Sequence, residues 1–148
     1  MIKYMRYLFV FFCLLLTGCS QPVLHDSNGN TVRFSDYRGK WIVLNYWATW
    51  CKPCYREVPD INAFYRAHYN KDAVVFGVSY DHAPVDQLNQ LAKKIGAEFP
   101  TLTTDPAKQL GVNHVPGLPA TFIIGPDGKL KKMLLGEQTQ QSIEEIMK

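Results

Sequence analysis

The 148-residue sequence predicts an α/β domain with a mixed central sheet flanked by helices and a strand extension at its N-terminal end. Three observations carry the prediction. Two uncharged runs, Trp41 to Trp47 (WIVLNYW) and Ala73 to Tyr80 (AVVFGVSY), are apolar, β-branched and aromatic, as suits strands buried on both faces. Between them Val58, Ile61, Phe64 and Tyr65 recur at three- and four-residue spacing, the pattern of a helix with one apolar face. Further on, Gly125 to Lys129 (GPDGK) divides Ala120–Ile124 from Leu130–Leu135 as a hairpin turn divides two strands. The order is strand, helix, strand, helix, hairpin and closing helix, which fits a mixed sheet with helices on both faces.

In chain order, Asp26 to Asn30 (DSNGN) is a turn centred on Asn28-Gly29, and Thr31 to Phe34 follows as a short strand. Ser35 to Lys40 is a second polar turn. The strand Trp41–Trp47 ends across Ala48 to Cys51, and a helix is expected over 53–68. Pro59 should bend that helix, because it removes a backbone donor and crowds the preceding turn. After the strand Ala73–Tyr80, the side chains Val85, Leu88, Leu91, Ala92 and Ile95 share one helical face, and Gly96 stops the helix. Residues 100–104 are expected to be extended and 105–110 to form a helical turn. A last helix over 138–148 carries Ile143, Ile146 and Met147 on its apolar side.

The composition, 47% hydrophobic and 20% charged, is that of an ordinary globular domain, with no repeat and no low-complexity tract. The first residues differ from the rest. Lys3 and Arg6 precede nine uncharged apolar residues, Leu8 to Leu16, far short of the roughly 20 that a membrane-crossing helix needs. A basic start, a short apolar core and small residues after it describe a secretory signal. Leu16-Thr17-Gly18-Cys19 resembles the lipobox of bacterial lipoproteins. The resemblance implies a signal over 1–18, acylation of Cys19, a lipidated tether over 19–28 and a domain over 29–148. Several acyl chains on one residue hold a protein to a membrane, at about 0.8 kcal/mol per buried methylene. Ser20 after that cysteine implies outer-membrane delivery in a Gram-negative host; in a Gram-positive host the same anchor leaves the domain on the outer face of the plasma membrane. Removing residues 1–18 leaves 14 basic against 13 acidic side chains, a net of +1, which gives no reason to expect nucleic acid as a partner. It also leaves only Cys51 and Cys54 as thiols, in a compartment where thiols tend to be oxidised.

Cys51-Lys52-Pro53-Cys54 stands where the strand gives way to the helix. Disulfide exchange needs a thiolate, and unpaired N–H groups with the dipole of a helix start favour negative charge there. Cys51 is placed to receive that help, with Lys52 adding a nearby positive charge. Cys54, one turn on, is expected to be less accessible, and Pro53 fits a first turn where a missing N–H costs nothing. The competing readings are weaker. Zinc needs four ligands, and His25, His68, His82 and His114 are scattered with no second cysteine pair, so no metal site is expected. An inert bridge would close too small a loop to constrain the unfolded chain.

The segment Val43 to Pro59 (VLNYWATWCKPCYREVP) resembles the active-site region of thioredoxin-like proteins, and most closely the TlpA/ResA branch, which includes reductases of cytochrome c maturation. The resemblance runs from about Gly29 to the C-terminus. It implies a thioredoxin-like fold and a protein disulfide reductase without a cofactor, with Cys51 attacking and Cys54 resolving. Trp50 would pack beside the pair. Pro119 matches the cis-proline loop that faces the cysteines and presents backbone around Leu118 to a substrate segment, although Pro116 competes for that place. Asn45 stands six residues before Cys51, where thioredoxin keeps a buried aspartate; this departure matches the branch. Glu57, three residues after Cys54, matches a glutamate that the branch carries near its active site. Buried there, it would have a raised pKa and exchange protons with a cysteine; the plainer reading is a solvent-facing acid near a helix start. Lys52 and Arg56 either tune the thiolate or are simply solvated. His114, close to the cis-proline loop, is expected in the core or at the surface. The implied partners are disulfide-containing envelope proteins, an upstream membrane thiol–disulfide donor and the membrane through Cys19, with the domain acting as a monomer.

Other functions remain distinguishable on the same residues. A disulfide-forming oxidase would run the pair in reverse, and the Lys-Pro dipeptide does not decide direction. A peroxidase of related fold would need Thr-x-x-Cys, whereas Thr49 is two residues from Cys51. A chaperone or binding module for exported chains would keep its activity without either cysteine.

Overall fold

A computed structural model describes residues 22–148 of the chain. The expected signal over 1–18 and the lipid-bearing Cys19 lie outside the described residues. Among the described residues there are seven strands: β1 (Leu24–His25), β2 (Thr31–Val32), β3 (Trp41–Trp47), β4 (Ala73–Ser79), β5 (Thr101–Leu102), β6 (Ala120–Ile124) and β7 (Leu130–Leu135). Three α-helices accompany them in the described residues: α1 (Lys52–His68), α2 (Leu88–Ile95) and α3 (Gln140–Ile146). The main sheet has the order β5-β4-β3-β6-β7. β4 is parallel to β3 and β5 parallel to β4, while β6 and β7 run antiparallel, so the sheet is mixed.

The central position of β3 follows from its sequence. Tyr46 and Trp47 point to opposite faces, and both are fully buried. Only a strand with neighbours on both edges and cover on both faces can bury consecutive residues of that size. On one face, Val58, Ile61 and Phe64 of α1, Ala92 and Ile95 of α2, and Ile143 of α3 pack against Val43, Val75, Trp47 and Ile123. The opposite face carries Ile42, Leu44, Tyr46, Phe76 and Phe122, covered by Leu24, Val32, Phe34, Tyr37, Leu110, Val112 and Val115. All three α-helices therefore share one face, and short 3-10 helices (Phe34–Tyr37 and Ala107–Leu110) with their loops close the other. The steps β3 to β4 and β4 to β5 move the same way across the sheet, and right-handed crossovers then put α1 and α2 on the same side.

At the N-terminal end the fold reaches further than the tether expected over 19–28. Leu24 and Asp26 are buried, and β1 pairs with β2. The Asp26 carboxylate closes the turn by accepting from the N–H groups of Asn28 and Asn30, each at 2.9 Å. Ser27 N–H donates to the Thr101 carbonyl at 2.7 Å, which fastens this small hairpin to β5. The strand expected over Thr31–Phe34 stops at Val32, because Phe34 turns into a 3-10 helix to reach the core. α1 runs through Pro59, whose ring faces solvent. Residues 85–87, expected as the start of a helix, form a 3-10 turn ahead of α2, and Gly96 ends α2 at φ 81°, a left-handed cap that suits glycine.

Candidate active site

The reactive pair is built by the end of β3 and the start of α1. Cys51 is the N-cap of α1, with extended φ/ψ of −88° and 96°. Its Sγ accepts the backbone N–H of Cys54 at 3.3 Å, one of the donors that a helix start leaves unpaired. Cys51 and Cys54 form a disulfide, with Cα atoms 5.4 Å apart. Cys54 is completely buried, while Cys51 keeps a 4% exposed edge, so an incoming sulfur can reach only Cys51. Pro53 lies in the first turn of the helix, where its missing donor is not needed.

The other expected residues fall around the pair. Trp50 is 67% exposed, so it borders the cysteines as a surface ring and does not cover them from within the core. The Leu118–Pro119 peptide is cis, and Leu118 packs against the cluster that holds Cys51, Cys54, Trp47 and Val58. The loop thus reaches the cysteine cluster through Leu118; Pro119 is buried and Pro116 is exposed. Behind this loop, Asp105 accepts from the hydroxyls of Tyr46 at 2.9 Å and Tyr80 at 3.1 Å, tying the long segment after β5 to the sheet. Lys52 is exposed. The Arg56 guanidinium is engaged by the Glu137 carboxylate, with Nε to Oε1 at 3.1 Å. His114 is exposed. Among the described residues no group of His, Cys, Asp or Glu is arranged to hold a metal ion.

Glu57 is buried, not solvent-facing. Its carboxylate accepts from Asn45 Nδ2 at 2.9 Å, from the Gln138 backbone N–H at 3.0 Å and from the Thr121 hydroxyl at 3.3 Å. Asn45 and Thr121 face each other across β3 and β6, so the sheet register places both donors. Burial outweighs these three bonds and pushes the Glu57 pKa up to about 7. Asn45 is also fully buried, and its Oδ1 has no donor within reach.

One residue here has no counterpart in the sequence reading. Asp81, just past the end of β4, accepts from Thr49 N–H at 3.1 and 3.0 Å and from the Thr49 hydroxyl at 2.6 Å. Ser79 Oγ donates to its other oxygen at 3.0 Å. Nothing in the spacing of Asp81 marks it, since its partner is 32 positions away; the only local sign is an acid directly after a buried run.

Residues 18–133 match the AhpC/TSA family. The chain belongs to that family. Within it, the chain is 36% identical over 130 residues to the thiol-disulfide oxidoreductase ResA of Geobacillus thermodenitrificans, spanning 86% of this chain and 74% of the relative. It is 32% identical to the ResA of Bacillus subtilis, over 84% of this chain and 69% of the relative. Among solved structures, StoA from Bacillus subtilis superposes with a TM-score of 0.68 at 21% identity, over 86% of this chain and 96% of the other. A thioredoxin-family thiol:disulfide interchange protein from Chlorobium tepidum gives 0.69 at 19% identity, over 86% and 92%. These two show a thioredoxin-like fold. With ResA relatives over most of its length and a Cys-x-x-Cys pair at disulfide distance, this member of the AhpC/TSA family is a thiol–disulfide oxidoreductase.

Proposed function

We propose that the chain reduces disulfides in exported proteins of the cell envelope. The observation that carries this reading is the Cys51 sulfur at the N-cap of α1, accepting a main-chain N–H, the arrangement that favours a thiolate over a thiol. The Cys51 thiolate attacks one sulfur of a substrate disulfide; a mixed disulfide forms and the other substrate sulfur leaves as a thiolate. Cys54 then attacks Cys51 Sγ, forming the Cys51–Cys54 bond and releasing the second substrate sulfur. Two electrons pass to the substrate, and solvent protonates the departing thiolates. Glu57, on the same helix as Cys54, takes the Cys54 proton as that thiol becomes the nucleophile, a role that a carboxyl titrating near neutral pH suits. Trp50, Leu118 and Pro119 form the surface against which the substrate segment lies, with Lys52, Pro53 and Asn45 tuning the pair. A membrane dithiol donor restores the reduced form, and lipid on Cys19 holds the domain outside the cytoplasm beside that donor.

Cys54→Ser removes the resolving sulfur, so in cells it should accumulate mixed disulfides between Cys51 and exported proteins, including any apoprotein of cytochrome c maturation that is a client. Adding Cys51→Ser should abolish them. Absence of trapped partners with Cys54→Ser, at normal expression, would rule the reductase reading out.

A further inference from the structure

Resting on the reading of Cys51–Cys54 as an exchanging pair, we propose that Asp81 is a positioning residue for the resolving step: by binding Thr49 it holds the Ala48–Cys51 turn in the same place whether or not the disulfide is formed. Both donors of Thr49 end on the Asp81 carboxylate, and the Thr49 carbonyl accepts from Tyr55 OH at 3.2 Å. The turn is thus gripped from β4 on one side and from α1 on the other. Trp47 O accepts from Tyr80 N–H at 2.8 Å, and Cys51 N–H donates to Ala48 O at 3.1 Å, which completes the attachment. His82, the residue after Asp81, has φ 53°, a left-handed backbone uncommon for a residue with a Cβ. Strained backbone of this kind persists where surrounding structure requires it, and here the carboxylate on the preceding residue is the group turned toward Thr49.

The clamp matters unequally through the cycle. In the oxidised protein the Cys51–Cys54 bond already orders the turn, so the Asp81 bonds form there without further loss of freedom, and the clamp and the disulfide favour the same geometry. In the dithiol and in the mixed disulfide that covalent restraint is gone. Cys54 can then displace the substrate sulfur efficiently only if Cys51 Sγ stays where the closed ring needs it, an effective-concentration requirement. Loss of the clamp should therefore make closure of the disulfide less favourable and slower, and leave the first attack on substrate nearly as fast.

The test is the equilibrium of the full-length protein, purified in detergent, with glutathione buffers, together with single-turnover kinetics on a small disulfide. Asp81→Ala should lower the equilibrium constant for closure about tenfold, which is a potential about 30 mV less negative for this two-electron couple. Mixed disulfide with the small thiol should then build up during turnover. Thr49→Val, which keeps the N–H and loses the 2.6 Å bond, should shift the equilibrium the same way by a smaller factor, and Thr49→Ser should restore the wild-type constant. The double variant should shift no further than Asp81→Ala. Two results would overturn the proposal: an unchanged equilibrium in folded Asp81→Ala, or additive shifts in the double variant, which would mean that Asp81 does not act through Thr49. Should Asp81→Ala fail to fold, the Thr49→Val and Thr49→Ser pair decides alone: equal constants refute the clamp. A wild-type protein that does not exchange with glutathione would instead refute the underlying reading of the cysteines.

Discussion

Glu57, proposed to take the Cys54 proton, also couples the stability of the fold to pH. A carboxyl raised from 4.5 to about 7 in the fold is protonated in the folded state at a pH where the unfolded chain has released its proton. The sign follows: the fold gains from the neutral form below pH about 4.5 and loses that gain as pH rises through about 7. At 1.36 kcal/mol per pKa unit the full loss is on the order of 3 kcal/mol. Glu57→Gln has no such titration. Its amide can still accept from Gln138 and Thr121, and it can donate to the otherwise unpartnered Asn45 Oδ1 once that amide turns over. Urea unfolding at a series of pH values should find the variant gaining on the wild type between pH 4.5 and 8, with parallel curves counting against the assignment. The helical spacing of Glu57 from Cys54 is legible in the sequence, but its burial is not. That depends on Thr121 and Gln138, which lie 64 and 81 positions away.

At the level of elements, β3, β4, β6 and β7 could be read almost residue for residue, because continuous apolar runs and a glycine-rich turn mark them. β5 falls inside the stretch expected to be extended over 100–104, whereas β1 could not be read: it has two residues, and its hairpin is fastened to β5 only through the Ser27 N–H and the distant Thr101 carbonyl. β4 illustrates why a short residue sits inside an apolar run. A Cβ on Gly77 would come within 2.7 Å of Trp47 Nε1 and 3.0 Å of Thr101 Oγ1. Gly77→Ala therefore overpacks the layer directly behind the active-site strand, and chemical denaturation should show a loss of about 1–3 kcal/mol; a neutral result would mean that the indole is free to move. α3 depends on its cap instead. Thr139 Oγ1 accepts from Ser142 N–H at 3.1 Å while Ser142 Oγ accepts from Thr139 N–H at 3.0 Å. Thr139→Ala should cost about 1 kcal/mol by the same measurement. Because Ile143 of α3 packs in the cluster of Ile61 and Phe64, apart from the cluster that holds Cys51 and Cys54, redox exchange should be left intact.

For the whole molecule, the sheet gathers pieces from distant parts of the chain at one end: the Cys51 turn from β3, Asp81 from β4 and the Leu118–Pro119 loop from β6. The Cys-x-x-Cys pair was legible from its spacing at a strand-to-helix junction, and the proline loop through its likeness to thioredoxin-like proteins, which left Pro116 and Pro119 in competition. The Asp81 clamp was not, since it exists only where two parallel strands end side by side. What the assembly does as a unit is set by the stability of its disulfide, which decides whether this chain donates electrons, as proposed, or accepts them. The direct measurement is the reduction potential of the Cys51–Cys54 pair, read from equilibrium with dithiothreitol or glutathione buffers. A value near or below about −270 mV, in the range of thioredoxin, is the result expected of a reductase. A value close to about −120 mV, that of a strong oxidant, would contradict it and make the chain a donor of disulfides instead.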